Sequence, residues 1–420
     1  MSIPVSKTQA NGVGTRRVIP CLVLALACAL GSSWLLGMPD GSGRVHALSP
    51  KLQELQEAAA GKLAAVLARD PAQRLTKCVR HAEGQLLGAE TVAPPSRNGS
   101  LYVPDRDGSV YRFDPVTNGS YVRTATVANL GRGRPLGYIL LEHTEAALPL
   151  MESFWLLPDS PGPMLIVADA LQGLVQLELG SGKVSLLTPL HSANDLDVDP
   201  TDHSKMYFSV STTFPVELVY GDDEKPRYDT MDWYFRCAAR GDTTGRLLSY
   251  NRKSGKTAEL VTGLSFANGV AVSADGSFVL VVESNGFRIL RVWVRGKLAG
   301  NVETFAQGLP GFPDSMSRSA DGKSFFVAII APHTPALKLM RSRLARGLLA
   351  RLPRWLVHKL KVPLGLVLQL RASDGEVIGV FADAETKHVR PVTAVTQSAD
   401  GRLFLGSLDE EALVVCSVGA

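Results

Sequence analysis

The chain has 420 residues, 45% of them apolar, enough to bury a large core in one big domain or two smaller ones. Its formal net charge is +4, with acids and bases mixed through most of the length. That balance argues against a nucleic-acid binder and directs attention to local segments instead.

The first such segment is N-terminal. Residues 1–17 carry Lys7, Arg16 and Arg17 and no acid, and 18–37 (Val18 to Gly37) contain no charge at all. A run of about 20 apolar residues is long enough to span a bilayer, and the basic residues before it place the N-terminus in the cytosol. The expectation is a cytosolic tail (1–17) and a signal-anchor transmembrane helix (18–37), giving a single-pass type II membrane protein of the endoplasmic reticulum lumen or cell surface. The rival is a signal peptide cut near Ala29-Leu30-Gly31-Ser32. Both readings put the body of the chain in the lumen or outside the cell. Glycosylation sequons at Asn98 and Asn118 agree with that side of the membrane. Of the five cysteines, Cys21 and Cys28 lie in the apolar run. Cys78, Cys237 and Cys416 remain, so an oxidising compartment permits one disulfide and leaves one thiol.

Residues 38–75 read as a short linker followed by a helix over 50–69, where apolar residues recur at helical spacing. From about Thr76 the pattern turns to strand and is expected to remain so. In 263–315, Val/Leu-rich runs are separated by Asn268-Gly269, Asp275-Gly276 and Asn285-Gly286, which predict tight turns in an antiparallel meander. Ser-Ala-Asp-Gly occurs at 273–276, 319–322 and 398–401, each copy before an apolar strand. With looser units upstream this makes about six strand–turn units, the signature of an all-β, six-bladed β-propeller over 76–420. An irregular β-sandwich is the alternative. Residues 333–361 break the pattern. Leu, Met and Trp alternate with Arg and Lys, and no acid occurs between Asp321 and Asp374. This predicts a basic amphipathic insertion that either touches a membrane surface or forms a helical lid with a solvated basic face.

The runs Gly133-Arg-Pro-Leu-Gly137, Val167-Ala-Asp-Ala170, Asn194-Asp-Leu196, Phe266-Ala-Asn-Gly-Val270 and Leu309-Pro-Gly-Phe-Pro-Asp314 carry a family resemblance. Over about 76–418 the chain resembles the strictosidine synthase-like proteins, most closely their adipocyte plasma membrane-associated branch, and more distantly the paraoxonases. The resemblance implies a six-bladed propeller on one N-terminal anchor. By analogy with paraoxonases it implies a Cys78–Cys416 disulfide closing the ring, with Cys237 free; two unpaired buried thiols are the alternative. It also implies a calcium ion at one end of the central channel. The matching positions are Glu90, Asn194, Asn268 and Asp314, with Ser315 where the family usually has Asn. These hard oxygen ligands suit Ca2+ rather than zinc or iron.

The catalytic implication is thinner. In calcium-dependent esterases and lactonases the ion polarises a carbonyl while water attacks. Asp169 stands where those enzymes have a His, and His191 is the other candidate base. The acidic residue that strictosidine formation needs is matched by Ala394, which cannot transfer a proton, and Val210 replaces another common acid of the family. The expectation is therefore a calcium-dependent hydrolase of small-molecule esters or lactones (arylesterase-like). The alternative is a non-catalytic calcium-stabilised propeller that binds a protein or lipid partner.

Overall fold

Runs rich in Val, Leu, Ile and Phe, punctuated by Gly and Asp turns, fold into six antiparallel sheets arranged as the blades of a propeller. The structure is a computed structural model that describes residues 45–117, 119–131, 133–142, 162–215, 218–220 and 226–417. The apolar run 18–37 and the sequon residue Asn118 lie outside the described residues. Among the described residues no helix is long and apolar enough to cross a membrane.

Blade one consists of Leu101–Pro104, Ser109–Pro115 and Tyr121–Asn129, with residues 89–93 on its axial side, hydrogen-bonded to Tyr138, Thr393 and Thr396. The axial strands of blades two to six are Pro135–Leu141, Ala193–Val198, Ala267–Val272, Gly311–Arg318 and Ala394–Gln397. Blade six is completed from the other end of the chain: Val79–His81 pairs antiparallel with Leu413–Cys416, Val79 opposite Val415 and His81 opposite Leu413. A disulfide joins Cys78 to Cys416 across a separation of 338 residues, and Cys237 is a buried free thiol, as expected.

Each pair of adjacent blades buries its own apolar layer. Phe278, Leu280 and Val282 of blade four meet Phe325, Val327 and Ile329 of blade five. Phe404 and Val415 of blade six meet Val103 and Phe113 of blade one. Strands such as Met164–Asp169 and Phe278–Glu283 are buried along their whole length, which explains their continuous rather than alternating apolar pattern.

Neighbouring axial strands belong to different sheets, and side chains bridge them. Asp195 and Asp197 of blade three accept from the backbone N–H groups of Val270 and Val272 in blade four, at 3.1 and 2.8 Å. The Thr393 and Thr396 hydroxyls donate to the Glu90 and Val92 carbonyls.

Several sequence expectations need correction. The helix expected over 50–69 is two helices, α1 (Pro50–Ala59) and α2 (Leu63–Leu67), because Gly61 takes φ +76° between them. Asn268-Gly269 is not a turn. It lies within Ala267–Val272, where Gly269 is needed for close approach: a Cβ there would stand 2.6 Å from the Asp314 carbonyl oxygen. The region after Thr76 also contains a helix, α3 (Thr230–Arg240), capped by the Asp229 carboxylate on the Asp232 N–H and ended by Gly241 at φ +67°. The basic insertion forms a 3-10 turn (Pro335–Arg341) and two short helices, α4 (Arg343–Leu349) and α5 (Arg354–Lys359).

α4 and α5 pack on α3. Arg236 of α3 donates to the Ala350 and Leu352 carbonyls, and Arg354 pairs with Asp232. In turn α3 lies on the axial strands: Tyr234 stacks edge-on against Phe266 and Phe312 and donates to the Asn285 side chain. The helices thus form a cap over one end of the channel.

Candidate metal centre beneath the helical cap

Glu90, Asn194, Asn268 and Asp314 are all buried and all lie on axial segments. The Asn268 amide donates to Asp314 Oδ1 and to the Ser284 hydroxyl, leaving Asn268 Oδ1 buried without a partner. Glu90 Oε2 is likewise buried and unpartnered. Burial pushes the Glu90 carboxyl up to about 7, against the pull of the Arg134 guanidinium and with the push of Asp195. Burial also holds the Asp314 carboxyl well above the ordinary range, reinforced by the Glu90 and Asp195 charges and opposed by the Asn268 bond. These carboxylates feel one another, so Glu90, Asp195 and Asp314 form one electrostatic cluster.

Sequence reasoning missed Asp195. It follows Asn194 directly, and the signal available was the Asn-Asp pair at the start of a strand. Its Oδ2 accepts from the Val270 N–H and from the Ser315 hydroxyl at 2.7 Å, and its Oδ1 accepts from the Leu196 N–H. Burial nonetheless pushes its carboxyl up to about 7. Ser315, expected as a direct ligand, therefore enters the cluster as a donor to Asp195.

Arg134 and Tyr228 were also missed, although Arg134 lies in a run already noted for its resemblance. The buried Arg134 guanidinium donates to the Gly88 carbonyl at 3.0 Å. The Tyr228 hydroxyl is buried without a partner, in electrostatic reach of Glu90, Arg134 and Asp169.

The two candidate bases differ. Asp169 is fully buried: its Oδ1 accepts from the Leu171 and Gln172 N–H groups in its own turn, while its Oδ2 lies against Gly133, buried without a partner, and its charge reaches Tyr228. His191 is exposed in the turn before Ala193–Val198. Ala394 is buried at the start of its axial strand and brings no acid. Asn98 sits exposed in a turn.

Among the described residues no three His, Cys, Asp or Glu side chains stand together in metal-holding geometry. A cation here must draw on amide oxygens as well as carboxylates. The cluster fits that demand: two orphaned oxygens from Glu90 and Asn268, together with carboxyl groups that burial drives toward the neutral form, make a site that a hard cation would relieve.

Fold and site together define a six-bladed propeller with a polar cluster at one capped end of its axis. The strictosidine synthase family model matches residues 194–297, which include Asn194, Asp195 and Asn268. Strictosidine synthase-like 10 of Arabidopsis thaliana is 32% identical over 353 residues, 78% of this chain and 89% of that protein. The adipocyte plasma membrane-associated protein of Gallus gallus is 27% identical over 423 residues, covering 96% of this chain and 91% of its own. A gluconolactonase of Xanthomonas campestris superposes with a TM-score of 0.49 at 14% identity, over 82% of this chain and 91% of that one. The chain belongs to the strictosidine synthase-like family.

Proposed function

We propose that this protein is a calcium-dependent hydrolase of esters or lactones, held on a membrane by residues 18–37 with its propeller on the lumenal or extracellular side. The observation that carries the reading is the convergence of Glu90, Asn268 and Asp314 beneath the cap, with Glu90 Oε2 and Asn268 Oδ1 buried and unpartnered. Glu90, Asn194, Asn268 and Asp314 would hold the ion. Bound there, calcium supplies a Lewis acid for a substrate carbonyl.

The chain's own groups define what surrounds that carbonyl. Tyr228 offers an uncommitted hydroxyl donor next to Glu90. Arg134 adds positive charge beside the carboxylates. Tyr234, Phe266 and Phe312 present an apolar wall that suits an aryl or alkyl group and excludes water. Placement outside the cytosol is supported by the Cys78–Cys416 bridge, because such bonds persist in oxidising compartments.

One observation favours the second reading, a non-catalytic propeller whose ion is structural: Asp169 Oδ1 is committed to the N–H groups of its own turn and His191 is exposed outside the cluster. The test separates the two. Hydrolysis of phenyl acetate and of small lactones is followed with calcium and with excess chelator, alongside thermal stability. Turnover that disappears with chelator supports the hydrolase. Calcium-dependent stability without turnover assigns the ion to structure, and no response of either to calcium overturns the site.

A further inference from the structure

The cap carries a surface that hydrolysis does not use. On the sides of α4 and α5 turned away from α3, Leu344 is 77% exposed and Trp355 62% exposed. Their inward neighbours Leu352, Leu356 and Val357 are buried. The same insertion carries the exposed cations Lys338, Arg343, Arg351 and Lys359, the last with its ammonium 5.1 Å from the Trp355 ring centroid. The insertion contains no acid. The acids that reach it from other elements are Glu57, Asp229, Asp232 and Asp409, and they pair with Arg341, His358, Arg354 and Lys361. Among the described residues the other four cations form no ion pair.

The start of the described chain is fixed to this same cap. The His46 N–H donates to the Arg240 carbonyl at 2.8 Å, and Arg346 of α4 donates to the His46 carbonyl. Only the eight residues from Met38 to Val45 separate the apolar run 18–37 from that attachment. Fully extended they reach about 27 Å, at roughly 3.4 Å per residue. A bilayer holding 18–37 would therefore keep the cap, rather than the opposite end of the propeller, close to its surface.

We propose that the outer face of α4 and α5 docks on the headgroups of an anionic lipid bilayer, with Leu344 and Trp355 entering the acyl boundary and the four unpaired cations meeting lipid phosphates and carboxylates. Exposed Trp and Leu flanked by Lys and Arg are the composition that lies in a membrane interface. The orientation relies on the tether of the preceding section, whereas the docking does not depend on hydrolysis.

The test reconstitutes the full chain into vesicles of phosphatidylcholine with or without phosphatidylserine, using brominated acyl chains that quench tryptophan. The signal assigned to Trp355 is the difference between the protein and Trp355→Phe, in which the other four tryptophans cancel. The expected result is Trp355-specific quenching in phosphatidylserine vesicles that falls roughly fivefold or more without phosphatidylserine, and likewise in Arg343→Glu/Lys359→Glu. Leu344→Asp, at an exposed position, should reduce quenching with the melting temperature unchanged. Trp355 emission that is equal with brominated and unbrominated lipid overturns the proposal. So does quenching indifferent to phosphatidylserine and to charge reversal, which would assign the face to a bilayer contact that needs no anionic headgroup. Turnover enters none of these readouts, so failure here is distinguishable from failure of the hydrolase reading.

Discussion

Asn268 donates its side-chain amide to the carboxylate of Asp314 across the seam between blades four and five, and this one bond fixes which atom of Asn268 remains free. With Nδ2 committed, Oδ1 is the atom left buried and unpartnered. Asp314→Asn keeps the shape of the pair and removes its charge. Because burial and the Glu90 charge hold the Asp314 carboxyl well above its usual range, the metal-free variant should be as stable as the parent or more so. Its calcium affinity should fall about 10–100-fold or more. Thermal melts with and without calcium, plus a calcium titration, check both halves.

The same cluster sets a pH dependence. Burial raises Glu90 from 4.5, and Asp195 from 3.8, to about 7. Between those limits the folded, metal-free protein keeps protons that the unfolded chain has released, so stability falls as pH rises through the window and levels off above it. Calcium bound at this cluster would displace those protons. The calcium-induced rise in melting temperature should accordingly be small near pH 5, about two units below the raised values, and large near pH 8, about one unit above them. A rise of equal size at both ends would place calcium away from these carboxyl groups.

A glycine on a neighbouring strand stands against each acidic residue of the cluster: Gly406 against the Glu90 backbone carbonyl, Gly137 against the Asp195 side chain, and Gly269 against the Asp314 backbone carbonyl. The segments approach so closely there that a methyl group has no room. Gly137→Ala would overlap the Asp195 side chain and place a Cβ 2.7 Å from its Cα. The expected cost is about 1–3 kcal/mol, together with weakened calcium binding. Gly180→Ala, where no atom lies within 4 Å, is the control and should leave the urea midpoint unchanged.

These contacts also explain what the sequence could reveal. The Ser-Ala-Asp-Gly turns were legible because each is held locally: Asp275, Asp321 and Asp400 each accept from a backbone N–H two residues on. The blade count followed from them. Asp195 and Gly269 take their roles from partners about 45 to 75 residues away, on strands whose register nothing local encodes. α3 had local signals in its cap residue Asp229 and in Gly241, but it lies inside the stretch after Thr76 that reads as strand throughout.

Removal of the ring closure is expected to be costly. The Cys78–Cys416 bridge constrains 338 residues of chain separation, and loops of this length are stabilised by about 6 kcal/mol in chain-entropy models. Cys78→Ser should lower the denaturation midpoint, and reductant should do the same to the parent but leave the variant unaffected.

That bridge has a further consequence for damage. Every blade-connecting loop lies between the two half-cystines, so a single proteolytic cut in any of them opens the ring without releasing a fragment. A nicked molecule would still migrate as one species on a non-reducing gel and separate into two only after reduction. Loops on the solvent side could thus be cut during maturation or turnover while the assembled blades stay together, each fragment held by the other's strands and by one sulfur–sulfur bond.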